Sequence, residues 1–211
     1  MARITTLFWD IGGVILTNGW DRNSRKEAGE AFHLDWEDFQ DRHELSFPAF
    51  DTGQLSLNEY LDRTLFYRPR KFTREEFTAF MFAQSQEFPA VRAILEQCAA
   101  TNRYFIGAIN NEPLELNQYR IEAFHLRSSF QVFFSSCYIH SRKPEEGIFR
   151  VALAVTQRRP EDACSLTTGL SISRPHADWV CRSFTTSPRT SCAPTCASCR
   201  LRYSSFGIHI I

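Results

Sequence analysis

The stretch Ile4-Thr5-Thr6-Leu7-Phe8-Trp9-Asp10-Ile11-Gly12-Gly13-Val14-Ile15 constrains this chain more than any other. Residues 4–9 are β-branched or aromatic, the composition of a parallel strand covered on both faces. Asp10 stands where that strand ends, and Gly12 and Gly13 open a tight loop behind it. In an open α/β sheet, ligands bind in the crevice at the carboxyl ends of the strands. An acid at the end of the first strand, beside a loop with free amides, is well placed for phosphate and metal chemistry. The same text also fits an ordinary turn in which Asp10 is only a turn residue.

Downstream, two more apolar runs read as buried strands. Tyr104–Ile109 ends in Asn110-Asn111, and Gln131–Ser136 precedes Arg142-Lys143-Pro144. Helical patterns fall between and after them, at 89–98, 113–124 and 145–156. Strand and helix in alternation predict a Rossmann-like parallel sheet with crossover helices. Between the first strand and the next lies a different text, 17–86. It has helical spacing throughout and two capping-box signatures, Ser56 with Glu59 and Thr73 with Glu76. The expected organisation is an α/β core at 1–16 and 87–163 with a small helical cap inserted at 17–86. The aromatic stripes of the insertion read as its core.

Acidic and basic residues balance, 24 against 24, so nothing marks a nucleic-acid or membrane surface. No apolar run approaches the length of a membrane span, and the first residues do not read as a leader peptide. The expected compartment is the cytoplasm, where cysteines stay reduced. Oligomeric state is not legible.

Four landmarks stand in order: Phe8-Trp9-Asp10-Ile11-Gly12-Gly13-Val14, Ala108-Ile109-Asn110-Asn111, Arg142-Lys143-Pro144-Glu145 and Arg159-Pro160-Glu161-Asp162. Their order and spacing resemble the haloacid dehalogenase (HAD) superfamily of hydrolases. The likeness is to the phosphatase-like branch with the N-terminal domain of soluble epoxide hydrolase and bacterial sugar-phosphate phosphatases. It covers about residues 3–163, and the helical insertion matches that family's small cap. The resemblance implies an Asp10 nucleophile that carries an aspartyl-phosphate. It implies Mg²⁺ held by Asp10 and the Gly12 carbonyl together with a downstream acid. It assigns phosphoryl contacts to Ile11, Gly12, Asn110, Asn111 and Lys143, with Lys143 also neutralising charge on the nucleophile. The implied substrate is a small phosphate ester. Phosphoryl transfer is mostly positioning and charge compensation, which explains these residue types.

The chain departs from that pattern in three places, one of them the second motif, which usually offers Ser or Thr before its Asn and here has Asn110. The family often carries an acid two residues after the nucleophile, and here that residue is Gly12. The largest departure is the end of the chain. The family needs a fourth strand ending in paired acids, whereas the text here is Cys164-Ser165-Leu166-Thr167-Thr168-Gly169-Leu170. Of 24 Asp and Glu, only Asp178 lies beyond residue 162, while five of the seven cysteines do. A shifted reading frame explains this break. Allowed codons for Ser165–Gly169 read in the neighbouring frame as Phe-Ile-Asp-Asp-Arg, the missing strand and acid pair. The codons of Asp178-Trp179-Val180 force Leu-Gly in that same frame. Residues 164–211 are therefore expected to be an aberrant, poorly ordered tail, with the C-terminal strands of the core missing. Two other readings remain at this level. One is a catalytically silent remnant or binding module. The other is a metal-binding protein using Cys192, Cys196 and Cys199 of the tail, with spacing that also suits an iron–sulfur cluster.

Overall fold

The computed structural model describes residues 4–167 together with the strand segments 182–184, 201–204 and 207–210. Strand β1 (Thr6–Trp9) lies in the middle of a five-stranded sheet whose pairings are all parallel. The order is β3-β2-β1-β4-β5. Here β2 is Phe105–Asn110, β3 is Val132–Ser135, β4 is Ala163–Leu166 and β5 is Arg182–Phe184. All four residues of β1 are buried, so the β-branched and aromatic text does belong to a strand covered on both sides. Side chains alternate across a strand, and the two faces sort accordingly. Leu7 and Trp9 join Ile106, Ala108, Leu95 and Ile121 in one cluster. Phe8 joins Ile109, Phe134, Ile148 and Leu153 in the other. The first cluster takes in helices α5 (Pro89–Ala100) and α6 (Leu114–Ala123), and the second takes in α8 (Glu146–Thr156).

The insertion is helical, as its spacing predicts: α1 (Arg22–Ala31), α2 (Trp36–Asp51), α3 (Leu57–Thr64) and α4 (Arg74–Ala83). Both capping boxes form, Ser56 with Glu59 and Thr73 with Glu76. Such caps contribute about 1 kcal/mol each by satisfying amides that the first helical turn leaves without partners. The cap has its own aromatic core of Trp20, Phe39, Phe50, Tyr60 and Phe77. At its centre, Trp20 Nε1 donates to the Tyr60 hydroxyl at 2.9 Å, and that hydroxyl meets His43 Nδ1 at 2.8 Å. Burial lowers the His43 pKa to about 3, so the imidazole in this contact is neutral.

One expected boundary changes, and one element is added. The core does not stop at residue 163, because β4 pairs in register with β1 from Thr6↔Ala163 to Trp9↔Leu166, and Ala163, Cys164 and Ser165 are buried. Strand β5 pairs outside it. Small and apolar residues suffice here, since a strand beside β1 is held by backbone hydrogen bonds whatever the composition further along. The added element is a single turn, α7 (Ser136–Ile139), directly after β3. A two-stranded antiparallel ribbon, β6 (Leu201–Ser204) with β7 (Gly207–Ile210), completes the described elements. The rest of the tail expected to be poorly ordered, including Cys192, Cys196 and Cys199, falls outside the described residues. Among the described residues, no helix is long and apolar enough to cross a membrane.

Candidate active site

The parallel sheet brings the ends of β1, β2 and β4 to one edge. The Asp10 amide donates to the Leu166 carbonyl at 2.8 Å, continuing the β1–β4 ladder one residue past the end of β1. The loop then turns at Gly13, whose φ of 74° lies in the left-handed region, and the Gly13 amide donates to the Leu16 carbonyl at 2.7 Å. Asp10 is thereby held at the rim with both oxygens engaged. Oδ1 accepts from the Ile11 amide at 2.9 Å. Oδ2 lies 2.7 Å from Lys143 Nζ and accepts from Thr167 Oγ1 at 3.0 Å.

Lys143 arrives from the segment between α7 and α8. Asn111 splints it: the Asn111 Oδ1 accepts from the Lys143 amide at 2.8 Å, and its Nδ2 donates to the Lys143 carbonyl at 2.9 Å. The structure thus brings together Asp10, Gly12, Asn111 and Lys143, all on the wall of one cavity of about 290 Å³. Asn110 is placed differently. It is 1% exposed, its Nδ2 donates to Asn117 Oδ1 at 3.0 Å, and its Oδ1 accepts from Ser135 Oγ at 2.8 Å. Its side chain braces the wall from behind and is not part of it. Ile11 is fully buried in the core, and its amide is already given to Asp10.

The cap closes the other side of the cavity with Trp20, Phe47 and Asp51. Asp51 is the last residue of α2 and is 1% exposed. Burial raises its pKa to about 6, with Glu112 adding to the rise and Arg142 and Lys143 opposing it. Arg142 Nε lies 3.3 Å from Asp51 Oδ2 without making a hydrogen bond to it. Glu112, at the back of the cavity, is 4% exposed, and burial pushes its pKa up against the pull of Arg120. The Arg120 guanidinium, wholly buried, donates to both Glu112 Oε1 and the Thr17 carbonyl, which ties the core to the start of the cap.

No family model matches the chain, and no curated protein does. Solved structures do match it. A HAD family enzyme, BT-2542 from Bacteroides thetaiotaomicron, superposes with a TM-score of 0.68 at 17% identity, over 87% of this chain and 93% of that one. A predicted HAD-like family hydrolase from Porphyromonas gingivalis gives 0.65 at 16% identity, over 87% and 91%. A HAD phosphatase from Thermococcus onnurineus gives 0.54 at 19%, over 80% and 79%. The fold is the HAD fold.

In that fold the sheet edge carrying Asp10 is where the sequence resemblance locates the chemistry. The Bacteroides enzyme has been crystallised with magnesium and inorganic phosphate. The residues described here suit such an ion only in part. Mg²⁺ takes six oxygen ligands, usually including one or two carboxylates. Asp10 and the Gly12 carbonyl are suitable donors, but Asp10 Oδ2 already faces an ammonium and a hydroxyl. Thr167, at the end of β4, presents a neutral hydroxyl where the resemblance called for an acid. Among the described residues, no three His, Cys, Asp or Glu side chains converge to hold a metal ion. The donor set does not fit a tightly held Mg²⁺. Thr168 lies outside the described residues.

Sequence reasoning missed Trp20, Asp51, Glu112, Arg120 and Arg142 as site residues, and it read Phe47 as part of the aromatic core of the insertion. Asp51 directly precedes Thr52-Gly53, a local text that reads as a turn. No local signal could have found these residues. Each reaches the site through contacts between segments far apart in the chain.

Proposed function

We propose that this chain is a HAD-type hydrolase acting on a small phosphate monoester through an aspartyl-phosphate on Asp10. The observation that carries the reading is the Lys143 Nζ–Asp10 Oδ2 pair at 2.7 Å, on the wall of a cavity shared with the cap. Asp10 Oδ2 attacks phosphorus while its Oδ1 stays anchored on the Ile11 amide. Lys143 holds the nucleophile in place and offsets charge as the phosphoryl group arrives. Asn111 fixes the lysine backbone, so the ammonium is positioned before substrate binds. Trp20 and Phe47 give the cap side of the cavity an apolar wall. Mg²⁺ held by Asp10 and the Gly12 carbonyl would supply charge neutralisation, and the donor set here predicts weak binding and low turnover.

The substrate is a small molecule, neither nucleic acid nor membrane, in keeping with balanced charge and a cavity of about 290 Å³. A reducing cytoplasmic setting agrees with the free, buried Cys98 and Cys137. A second reading, a phosphate-binding module without turnover, draws on Thr167 standing where an acid is expected. One experiment separates them. Wild-type chain and Asp10→Asn are assayed on p-nitrophenyl phosphate with Mg²⁺, and trapping of beryllium fluoride is followed in parallel. Turnover and trapping that both vanish in Asp10→Asn support the hydrolase. Phosphate binding by the wild type without turnover supports the module, and activity unchanged in Asp10→Asn refutes the assignment of Asp10.

A further inference from the structure

We propose that Asp51, contributed by the cap, is the proton donor to the leaving oxygen of the ester. This inference rests on the phosphatase reading above and adds a residue and a substrate preference to it. An alkoxide is a poor leaving group, so hydrolysis of an alkyl phosphate needs an acid in the cavity. Four carboxylates line that cavity: Asp10, Asp21, Asp51 and Glu112. Asp10 is held by Lys143 and is the nucleophile. Asp21 caps α1, its Oδ1 accepting from the amides of Asn23 and Ser24 at 2.9 Å each. Glu112 is clamped by Arg120 and Asn110. Position 12, beside the nucleophile, is glycine and offers no acid.

Asp51 alone of the four has a buried oxygen, Oδ2, with no hydrogen-bond partner, and the residue is 1% exposed. Its one charged neighbour is Arg142, whose Nε lies 3.3 Å from Oδ2 without a hydrogen bond, so this oxygen on the cavity wall keeps its hydrogen-bonding capacity free. The surroundings keep this carboxyl protonated to a higher pH than an ordinary aspartate. Burial raises the Asp51 pKa to about 6, and Glu112 adds to this. Arg142 and Lys143 limit the rise. Two further titratable groups stand close by. Cys137, whose own pKa is pushed up to about 12, stays neutral, and His140 is engaged through Nδ1 with the Thr52 carbonyl at 2.7 Å.

The step balances as follows. Asp10 forms the new bond to phosphorus, and the bond from phosphorus to the leaving oxygen breaks. The electron pair stays on that oxygen, which takes the Asp51 proton and departs as the alcohol. In the second half, water attacks the aspartyl-phosphate and returns a proton to Asp51. Because the donor belongs to the cap, the acid is present only when cap and core are together, and the device favours alcohol esters over aryl esters.

The test uses the intact chain with excess Mg²⁺ and two substrates, glycerol phosphate and p-nitrophenyl phosphate, whose leaving group needs no proton. In the wild type, kcat on glycerol phosphate falls as pH rises above about 6, while kcat on the aryl ester lacks that limb. In Asp51→Asn, the alkyl-to-aryl ratio of kcat falls on the order of 10²-fold, and the alkyl limb near pH 6 disappears. An unchanged ratio, or a wild-type alkyl profile flat across that range, overturns the assignment of Asp51 even if the variant misfolds. Turnover of the aryl ester alone also overturns it while sparing the phosphatase reading. Turnover of neither substrate refutes both.

Discussion

Arg120→Met isolates the buried ion pair that the fold places behind the site. Arg120 is wholly buried, and its guanidinium serves Glu112 and the Thr17 carbonyl at once. Methionine keeps most of the volume and removes the charge. Glu112, whose side chain is only 5% exposed, is then left as a buried carboxylate with one amide partner, Asn110 Nδ2 at 3.3 Å. Removing one partner of a buried pair costs about 3–5 kcal/mol, because the other charge is left uncompensated. The cost depends on pH, and its sign follows from Glu112. Burial already holds its folded pKa above the unfolded value, and Arg120 is the chief opposing influence. Without Arg120 the folded pKa climbs further. A carboxyl with a raised folded pKa favours the fold when protonated, below the unfolded value of about 4.3, and that benefit is lost as pH rises through the folded pKa. The deficit of Arg120→Met is therefore full at about pH 7.5 and shrinks toward about pH 4.5, where only the lost hydrogen bond to Thr17, about 1–2 kcal/mol, and packing remain. Urea unfolding followed by tryptophan fluorescence at the two pH values measures this. Glu112→Gln combined with Arg120→Met should recover much of the loss. A deficit below about 1 kcal/mol at neutral pH, or one equal at both pH values, refutes the reasoning.

The remaining predictions concern charge at the cavity. Asp51 carries a folded pKa raised to about 6, so wild-type stability falls on the order of 2–3 kcal/mol as pH rises through that value, and Asp51→Asn flattens this part of the curve in paired thermal melts. Thr167→Asp puts a carboxylate beside Asp10, where the threonine hydroxyl now sits 3.0 Å from Oδ2. Calorimetric titration should show Mg²⁺ bound about tenfold tighter or better, at a cost of about 1 kcal/mol in metal-free stability. Restoring the neighbouring reading frame from residue 164 should raise turnover on an aryl phosphate at equal Mg²⁺, because it returns two acids to the end of β4. Equal turnover would show that those acids are not needed, and sequencing the gene across codons 155–185 checks the shift directly.

Much of the fold was legible locally. The run from Thr6 to Trp9 could only be a covered strand, and the capping boxes at Ser56 and Thr73 marked helix starts that the structure repeats. These are properties of neighbouring residues, set by side-chain alternation and by amides that need nearby acceptors. Asp10 and Lys143 were legible as a pair only because their motifs stand in a recognisable order. The composition of the tail misled in one respect: it argued against a core strand at Ala163–Leu166, yet pairing with β1 decides that segment.

What the sequence alone determined is the covered first strand, the acid at its end, the helical insertion and the alternation that makes the sheet parallel. What only the tertiary structure decided is which groups meet at that acid. Asn110 and Asn111 are adjacent in the chain, yet one braces the wall and the other splints Lys143, because neighbouring residues at a strand end point to opposite sides. Thr167 reaches Asp10 across 157 residues because β4 lies beside β1. Asp51 becomes a buried carboxyl with a shifted pKa only when the cap folds onto the Arg142 loop. Burial and charge proximity are properties of the assembled layers, and no stretch of sequence carries them by itself.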